Sequence, residues 1–141
     1  MAADTLDLEI VTPEGRKLSE SVKEVTAPGA LGELGVLPGH IPILTVLDIG
    51  ALTFVPSKGG GARVLAVGGG YLEVDRDRLV VITESAEFKE DIDADRARKA
   101  KGDATKKLDG LDSGDASFAP TYDLLAKRRK RAEVRLQVAS S

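Results

Sequence analysis

Hydrophobic and polar positions alternate along the first 85 residues of the chain, and this period of two is typical of β-strands. Leu6, Leu8 and Ile10 alternate with acidic residues, which predicts a strand with one buried and one wet face. Further short apolar runs, separated by polar or glycine-rich turns, follow at residues 22–25, 43–46, 51–55, 63–67, 71–74 and 79–82. Since no helical stretch interrupts them, the pattern predicts an antiparallel β-sandwich or barrel rather than a parallel sheet.

Two segments interrupt this alternation. Residues 48–50 carry a turn signal, Asp-Ile-Gly, between two of the predicted strands. We interpret the glycine run at 68–70 as the entry to a strand, where the missing side chains let the backbone approach a neighbouring strand or a partner closely. Each segment is therefore expected to separate two strands.

The pattern changes after residue 87 to a period near 3.6, which indicates helices. Three aspartates over residues 91–95 mark the expected start of the first helix, because carboxylates favour the positive end of the helix dipole. The apolar stripe of this helix is thin and consists of Ala97, Ala100, Ala104, Leu108 and Leu111. A turn over residues 109–115 leads to a second helix over residues 122–138. A hairpin with such weakly apolar faces can dock on the sandwich or leave it at a small difference in free energy.

The sequence therefore predicts a mainly β protein, with a sandwich domain over residues 1–86 and a two-helix domain over residues 88–141. Charge is distributed unevenly between the two ends of the chain. Residues 1–118 hold 14 lysines and arginines against 21 acidic residues, whereas residues 119–141 hold 6 against 2. The C-terminal end is therefore expected to carry a net positive charge, in contrast to the acidic remainder of the chain.

Five consecutive cations dominate the second predicted helix, namely Lys127, Arg128, Arg129, Lys130 and Arg131. They span more than one helical turn and so point in most directions around the axis, which predicts an acidic partner for at least some of them. Nucleic acid is not the expected partner, because no aromatic residue interleaves with the run and the chain as a whole is acidic. The alternative interpretation is a basic helix end that only contacts solvent.

The inventory of chemically reactive residues is nearly empty. The chain has no cysteine and one histidine, which excludes disulfides, thiolate metal sites and multi-histidine metal sites. Neither glycine run, at 59–61 or at 68–70, is followed by the lysine and helix of a phosphate-binding loop. We therefore expect no catalytic residue, no metal and no enzymatic activity.

No apolar run approaches the roughly 18 residues that cross a bilayer. The first residues also lack the basic and apolar segments of a secretory signal. Any membrane association is therefore expected to come through a partner.

Residues 29–42 concentrate four glycines, two prolines and the single histidine in fourteen positions. Glycine permits positive φ angles, and each proline restricts the residue before it to extended conformations. The composition predicts a stiff, shaped loop that presents Glu33 and His40. The alternative is an ordinary long surface loop.

Three motifs in order give the chain a family resemblance. They are Gly-Glu-Leu-Gly-Val-Leu-Pro-Gly-His-Ile-Pro at 32–42, Gly-Gly-Gly-Tyr-Leu-Glu-Val at 68–74 and Ile-Asp-Ala-Asp-Arg-Ala at 92–97. With these motifs, about 135 of the 141 residues closely resemble the epsilon subunit of bacterial proton-translocating ATP synthase. The resemblance implies a sandwich of about ten strands followed by a helical hairpin.

As to function, the resemblance implies a non-catalytic subunit of the central stalk. Such a subunit rotates between the gamma subunit and the membrane rotor ring of c subunits, and it couples proton translocation to ATP synthesis. It is expected to be peripheral, at the cytoplasmic face of the bacterial inner membrane.

Individual residues take roles from the same resemblance. Glu33 matches a carboxylate that contacts the polar loops of the rotor ring, and His40 matches a position at the gamma interface. The basic run at 127–131 matches a helix that extends to acidic loops on the catalytic head. Through that contact the hairpin is expected to inhibit ATP hydrolysis.

The resemblance also implies a nucleotide-sensing site in the helical part. The positions that match are Glu87, Asp93, Arg96 and Ala97. At such a site carboxylates accept hydrogen bonds from the adenine or ribose, and cations meet the phosphates. The residues alone allow another interpretation, in which Asp93 and Arg96 only start the first helix.

The contribution of the second helix to this site depends on a one-residue choice of register. Either Arg128 or the pair Lys127 and Arg131 corresponds to the family positions. The stronger ATP binders of the family place a further arginine seven residues beyond the arginine of the motif, where this chain has Asp103. A carboxylate near a triphosphate lowers affinity, so weak regulatory ATP binding at best is expected, and no other cofactor.

A second class of function remains at this stage. The chain could be a free-standing sandwich that binds carbohydrate or peptide and carries a basic helical tail. Such modules expose aromatic platforms, and the aromatic residues here are only Phe54, Tyr71, Phe88, Phe118 and Tyr122. The composition therefore favours the stalk subunit.

Overall fold

The computed structural model describes residues 4–141. Strands precede two helices, as the hydrophobic pattern predicts, and the structure has seven of them. The strands are β1 (Leu6–Thr12), β2 (Gly15–Gly29), β3 (Gly32–Val36), β4 (Ile43–Pro56), β5 (Arg63–Asp75), β6 (Arg78–Thr83) and β7 (Ala86–Phe88). A short 3₁₀ turn, Lys89–Asp91, leads to helices α1 (Ala94–Asp109) and α2 (Phe118–Ala139). The predicted fold class, a mainly β sandwich followed by a helical hairpin, is confirmed.

The strands form a sheet that closes on itself. Hydrogen bonding follows the order β1, β6, β5, β4, β2, and β2 pairs again with β1. β3 extends the sheet beside β2, and β7 pairs with β5. All pairs are antiparallel except β1 with β6, which is parallel with Leu8 opposite Leu79 and Ile10 opposite Val81. The main core lies inside this ring and includes Leu6, Leu8, Ile10, Leu52, Phe54, Leu65, Leu72 and Leu79.

The structure has seven strands in residues 4–141, so the expectation of about ten is wrong as a count. The reason is that β2, β4 and β5 are long, with 15, 14 and 13 residues. β2 and β5 pair with different neighbours along their two halves, and the segments on either side of residues 48–50 and 68–70 are continuous. Counting each of the three long strands as two gives the implied ten.

The expected breaks in β4 and β5 are changes of phase rather than chain reversals. In β5, Leu65 and Val67 face the core before the glycine run, and Leu72 and Val74 face it afterwards. The alternation therefore slips by one residue across positions 68–70. Gly69 and Gly70 have φ angles of +86° and +136°, and a side chain at Gly70 would overlap the carbonyl oxygen of Ile82. Only glycine fits this bend without strain.

β4 slips at the matching place. Leu47 and Leu52 both face the main core although they are five positions apart, whereas residues on one face of a regular strand differ by an even number. The change occurs at Asp48, whose carboxylate accepts a hydrogen bond from the backbone N–H of Ile49 at 2.8 Å. Gly50 follows and lies against the ring of Pro28. The polar signal at 48–50 thus marks a bend within one strand.

The helical hairpin rests on the sheet through α2. A second apolar cluster joins Val134 and Val138 of α2 to Ile49 and Ala66 of the sheet. α1 packs on α2 instead, where Ala97 and Ala104 are buried. The hairpin therefore touches the sandwich mainly along the C-terminal half of one helix. None of the helices in residues 4–141 is long and apolar enough to cross a membrane.

The helix boundaries refine the sequence interpretation. Asp93 caps α1 by accepting a hydrogen bond from the backbone N–H of Arg96 at 3.1 Å. α2 begins at Phe118, four residues earlier than predicted, since Pro120 is tolerated in a first turn whose N–H groups have no helical partner. Phe88 is the last residue of β7 and packs in the main core of the strands.

Candidate functional site

The β2–β3 hairpin presents Glu33 at a projecting tip. Residues 32–36, expected as part of a loop, form strand β3, and Glu33 lies exposed opposite Pro28. The backbone N–H of Ala30 donates to the carbonyl oxygen of Val46 at 2.9 Å, which ties the turn to β4. Leu31 at the end of the turn is fully exposed. The tip is thus held by its backbone and offers one carboxylate and one large apolar side chain.

His40 lies half-buried in the loop between β3 and β4. Its Nδ1 donates to the carbonyl oxygen of Ile41 at 2.7 Å, and its backbone N–H donates to Leu37 at 3.1 Å. The backbone N–H of Gly39 also donates to the carboxylate of Asp77 at 3.1 Å. The loop is therefore fixed against the turn between β5 and β6, and His40 helps to hold its shape.

An exposed row of hydrophobic side chains crosses the outer face of the sheet near this loop. Val46, Tyr71 and Ile82 are opposite one another on β4, β5 and β6. Leu44 lies two residues before Val46 on the same face. Together Leu44, Val46, Tyr71 and Ile82 form the apolar strip, and each side chain is at least half exposed. Contiguous exposed apolar surface is typical of interaction sites.

The groove between α1 and α2 collects the predicted nucleotide-binding positions. A cavity of about 280 Å³ is lined by Glu87, Asp93, Arg96 and Ala97, together with Asp91, Ala100 and Arg135. A second cavity of about 360 Å³ adjoins it through two shared residues, Ala100 and Arg135. The first cavity thus holds mainly carboxylates, together with Arg96 and Arg135, and the second holds mainly cations.

The second cavity contains one residue from each alternative register of the basic run. Arg128 and Arg131 both line it, whereas Lys127 lies in a different cleft, between α2 and the sheet. Asp103 lines it as well and brings a carboxylate among the cations. The fifth predicted position, Arg128, therefore lies in the cavity next to the other four.

Sequence reasoning missed Arg135, which lines both cavities. Its Nε donates to the carboxylate of Glu87 at 3.1 Å. Arg135 follows Arg131 by four residues, so helical spacing places the two on one face and was the available signal. Asp93 both caps α1 and lines the first cavity.

The basic run has acidic partners within the chain. Two cations pair along α2, Lys127 with Asp123 at 3.2 Å and Arg129 with Glu133 at 3.8 Å. Two others reach the sandwich, as Lys130 pairs with Asp48 at 2.8 Å and Arg131 with Glu84 at 3.0 Å. In residues 4–141, Arg128 has no ion pair and faces the groove.

The Lys130 ammonium, by its hydrogen bond, lowers the pKa of the Asp48 carboxyl below its ordinary value of 3.8. The bond from the Ile49 N–H also lowers this pKa, against an opposing effect of burial. A carboxyl group whose pKa is lowered by folding stabilises the folded state at any pH above its ordinary pKa. This stabilisation is lost as the pH falls through the lowered pKa of the folded state. Asp48 therefore stays charged across the physiological range.

Among residues 4–141 no cluster of side chains suited to hold a metal ion is found.

Comparison with known proteins gives a consistent family. The family described as "ATP synthase, Delta/Epsilon chain, beta-sandwich domain" matches residues 5–89. The ATP synthase epsilon chain of Geobacter metallireducens is 47% identical over 97% of this chain and 95% of its own length. The epsilon chain of Geotalea uraniireducens is 45% identical over 98% and 96%.

Solved structures agree at the level of the fold. A chain in the Euglena gracilis mitochondrial ATP synthase, in a structure of OSCP, F1 and the c-ring, superposes with a TM-score of 0.82 at 22% identity. That match covers 100% of this chain and 84% of the other. A chain of the Tetrahymena thermophila central stalk and c-ring gives a TM-score of 0.59 at 13% identity, with 99% of each chain covered.

Proposed function

The chain belongs to the ATP synthase epsilon chain family, and on that premise we propose that it links a gamma-type stalk subunit to the membrane rotor ring. In this position it couples proton translocation to ATP synthesis. The observation that carries the proposal is identity of 47% to an epsilon chain over nearly the whole length of both chains. The protein is a non-catalytic subunit of the membrane-associated ATP synthase. The alternative of a free-standing binding module is not retained, because the relatives that match this chain over its full length are subunits of the ATP synthase.

Two surfaces suit the two partners. The apolar strip and the loop that holds His40 adjoin each other, since Leu44 follows that loop at the start of β4. Burying four exposed hydrophobic side chains favours a lasting contact, which fits the gamma subunit. The tip with Glu33 and Leu31 projects from the same region and fits the polar loops of the rotor ring. We place the complex at the cytoplasmic face of the bacterial inner membrane, with this chain peripheral.

Glu33→Lys tests the rotor contact. A carboxylate on a backbone-fixed tip pairs with cationic loops across a small wet interface, and reversing its charge turns attraction into repulsion. We expect proton pumping driven by ATP in reconstituted membranes to fall by roughly half. The melting temperature of the isolated protein should stay nearly unchanged, because Glu33 is exposed.

Glu14→Lys provides the matched control, since it makes the same charge reversal at the exposed β1–β2 turn. Proton pumping should be normal in this variant. If complexes with Glu33→Lys and complexes with Glu14→Lys pump protons equally well, the tip does not contact the rotor ring.

We also propose that the groove between α1 and α2 binds ATP weakly. Glu87 and Asp93 can accept hydrogen bonds from the adenine or ribose, and Arg96 and Arg128 can meet the phosphates. Asp103 opposes the triphosphate because its carboxylate lines the cavity that holds the cations. The balance of these charges predicts low affinity.

Asp103→Asn should raise the affinity for ATP by roughly tenfold, or about 1.4 kcal/mol, and Arg128→Gln should lower it by a similar factor. Isothermal titration of the isolated protein with ATP measures both changes. Lys127→Gln is the control, because Lys127 carries the same charge but does not line the groove. If ATP binding is equal in all three variants, or absent from all of them, the groove is not a nucleotide-binding site.

A further inference from the structure

We propose that Asp48, Glu84 and Glu87 form an electrostatic latch, which holds the helical hairpin on the sheet by pairing with Lys130, Arg131 and Arg135 of α2. The latch is a property of the isolated chain. Its consequence for the assembled enzyme rests on the proposed function.

The three pairs connect parts of the chain that are far apart in sequence. Lys130 Nζ lies 2.8 Å from Asp48 Oδ2 at the bend of β4. Arg131 lies 3.0 Å from Glu84, between β6 and β7, and Arg135 lies 3.1 Å from Glu87 on β7. Three different segments of the sandwich are thereby tied to one and a half turns of a single helix.

The apolar contact beside these pairs is small. Val134 and Val138 are the buried α2 residues of the second cluster, and they meet Ile49 and Ala66 on the sheet. The cluster has four buried residues, against seventeen in the main core, and is completed by the partly buried Ala51, Val64 and Ile92. The ion pairs lie beside a small apolar contact, so a modest change in their strength can shift the balance between the docked and the released hairpin.

The basic run divides into two sets by partner. Lys130 and Arg131 reach the sandwich, whereas Lys127 and Arg129 pair with Asp123 and Glu133 of α2 itself. Moving α2 off the sheet breaks the first set and leaves the second intact. Two substitutions with the same change in net charge can therefore separate the latch from the general effect of a basic helix.

The latch cations cannot serve two partners at once. While Lys130 and Arg131 hold Asp48 and Glu84, they are withdrawn from any acidic surface outside the chain. An acidic segment on the catalytic head must compete with the carboxylates of the sandwich for the same groups. The latch thus sets how readily the hairpin extends.

Salt is the variable that loosens the latch. The side chains of all three pairs are partly exposed, and so they are accessible to screening ions. Asp48 is charged throughout the physiological range, so its pair does not open with pH near neutrality. Raising the ionic strength is therefore expected to release the hairpin.

Fluorescence energy transfer within the isolated full-length protein tests the proposal. Because the chain has no cysteine, dyes can be attached at the exposed positions Ala62→Cys in the sandwich and Leu124→Cys in α2. The undocked fraction should rise between about 0.05 M and about 1 M salt, where the screening length falls severalfold. Lys130→Gln with Arg131→Gln should raise the undocked fraction about fivefold at low salt and flatten its salt dependence.

Lys127→Gln with Arg129→Gln is the matched control and should keep the parental docking and salt dependence. Helix content from circular dichroism separates undocking from melting of α2. Equal behaviour of the two double variants, or a parent protein insensitive to salt, would overturn the latch. Exchanging the partners, Asp48→Lys with Lys130→Asp, should restore docking that either single change weakens. None of these readouts depends on assembly with other subunits, so they can fail while the proposed stalk function stands.

Discussion

Tyr71→Asp should weaken binding of the gamma-type stalk subunit by about a hundredfold or more, equivalent to about 2.7 kcal/mol. Tyr71 is the middle residue of the apolar strip, with Val46 on one side and Ile82 on the other. A carboxylate there would be desolvated without a partner when the two surfaces meet. Tyr71 is 56% exposed in the isolated chain, so the fold itself should tolerate the change. Copurification and titration with the stalk subunit measure the effect.

Two controls make this test specific. Tyr122→Asp introduces the same substitution on α2, where the side chain is 45% exposed, and should leave binding of the stalk subunit unchanged. A chain that ends at Asp91 keeps Phe88 in the core and should also bind normally. Binding that survives Tyr71→Asp, or that is lost with the hairpin, would assign the stalk contact to another surface.

Removing the hairpin after Asp91 should raise ATP hydrolysis by the assembled complex, on the order of fivefold, without preventing assembly. The expectation follows from the inhibitory role that the family resemblance implies, in which an extended hairpin contacts acidic loops of the catalytic head and obstructs rotation. Neutralising residues 127–131 to glutamine should reproduce much of the effect, since the hairpin is then released but has no charge to hold it on the head. The difference from the parent complex should be largest at low salt, where the ion pairs are least screened.

Hydrolysis assays across a salt series decide this point. Neutralising Lys127 and Arg129 alone leaves the latch intact, so this variant reports the contribution of those two cations to the contact with the head. If neither the shortened chain nor the neutralised one hydrolyses ATP faster than the parent complex, the hairpin is not an inhibitor. The basic run would then serve docking alone.

Local patterns predict the elements of this fold well, because the spacing of apolar residues in each strand and helix follows which of its faces is buried. The alternation in β1 corresponds directly to its buried Leu6, Leu8 and Ile10. The bends in β4 and β5 leave the same local signal as turns, since both break the alternation and both favour glycine. Only the pairing of the strands shows that the chain continues through Gly69 and Gly70 in one direction.

The candidate surfaces are less accessible from the sequence. Tyr71 and Ile82 have the same apolar character as core residues, and the phase of each strand must be known before they can be assigned to the outer face. The ion pair of Lys130 with Asp48 joins residues 82 positions apart, and no local pattern encodes such a distance. In contrast, Arg135 could be placed beside Arg131 from helical spacing alone.

The parallel pairing of β1 with β6 has a consequence for the folding of the chain. β1 can form its antiparallel hairpin with β2 as soon as both have left the ribosome, but its other edge stays unpaired until residues 78–83 have been synthesised. The ring therefore closes late. Closing it requires the whole chain between β1 and β6 to become ordered, which the formation of a local hairpin does not require. The two helices contact mainly each other, so they can form in microseconds once released. During synthesis the open edge of β1 is therefore exposed to pairing with another nascent molecule.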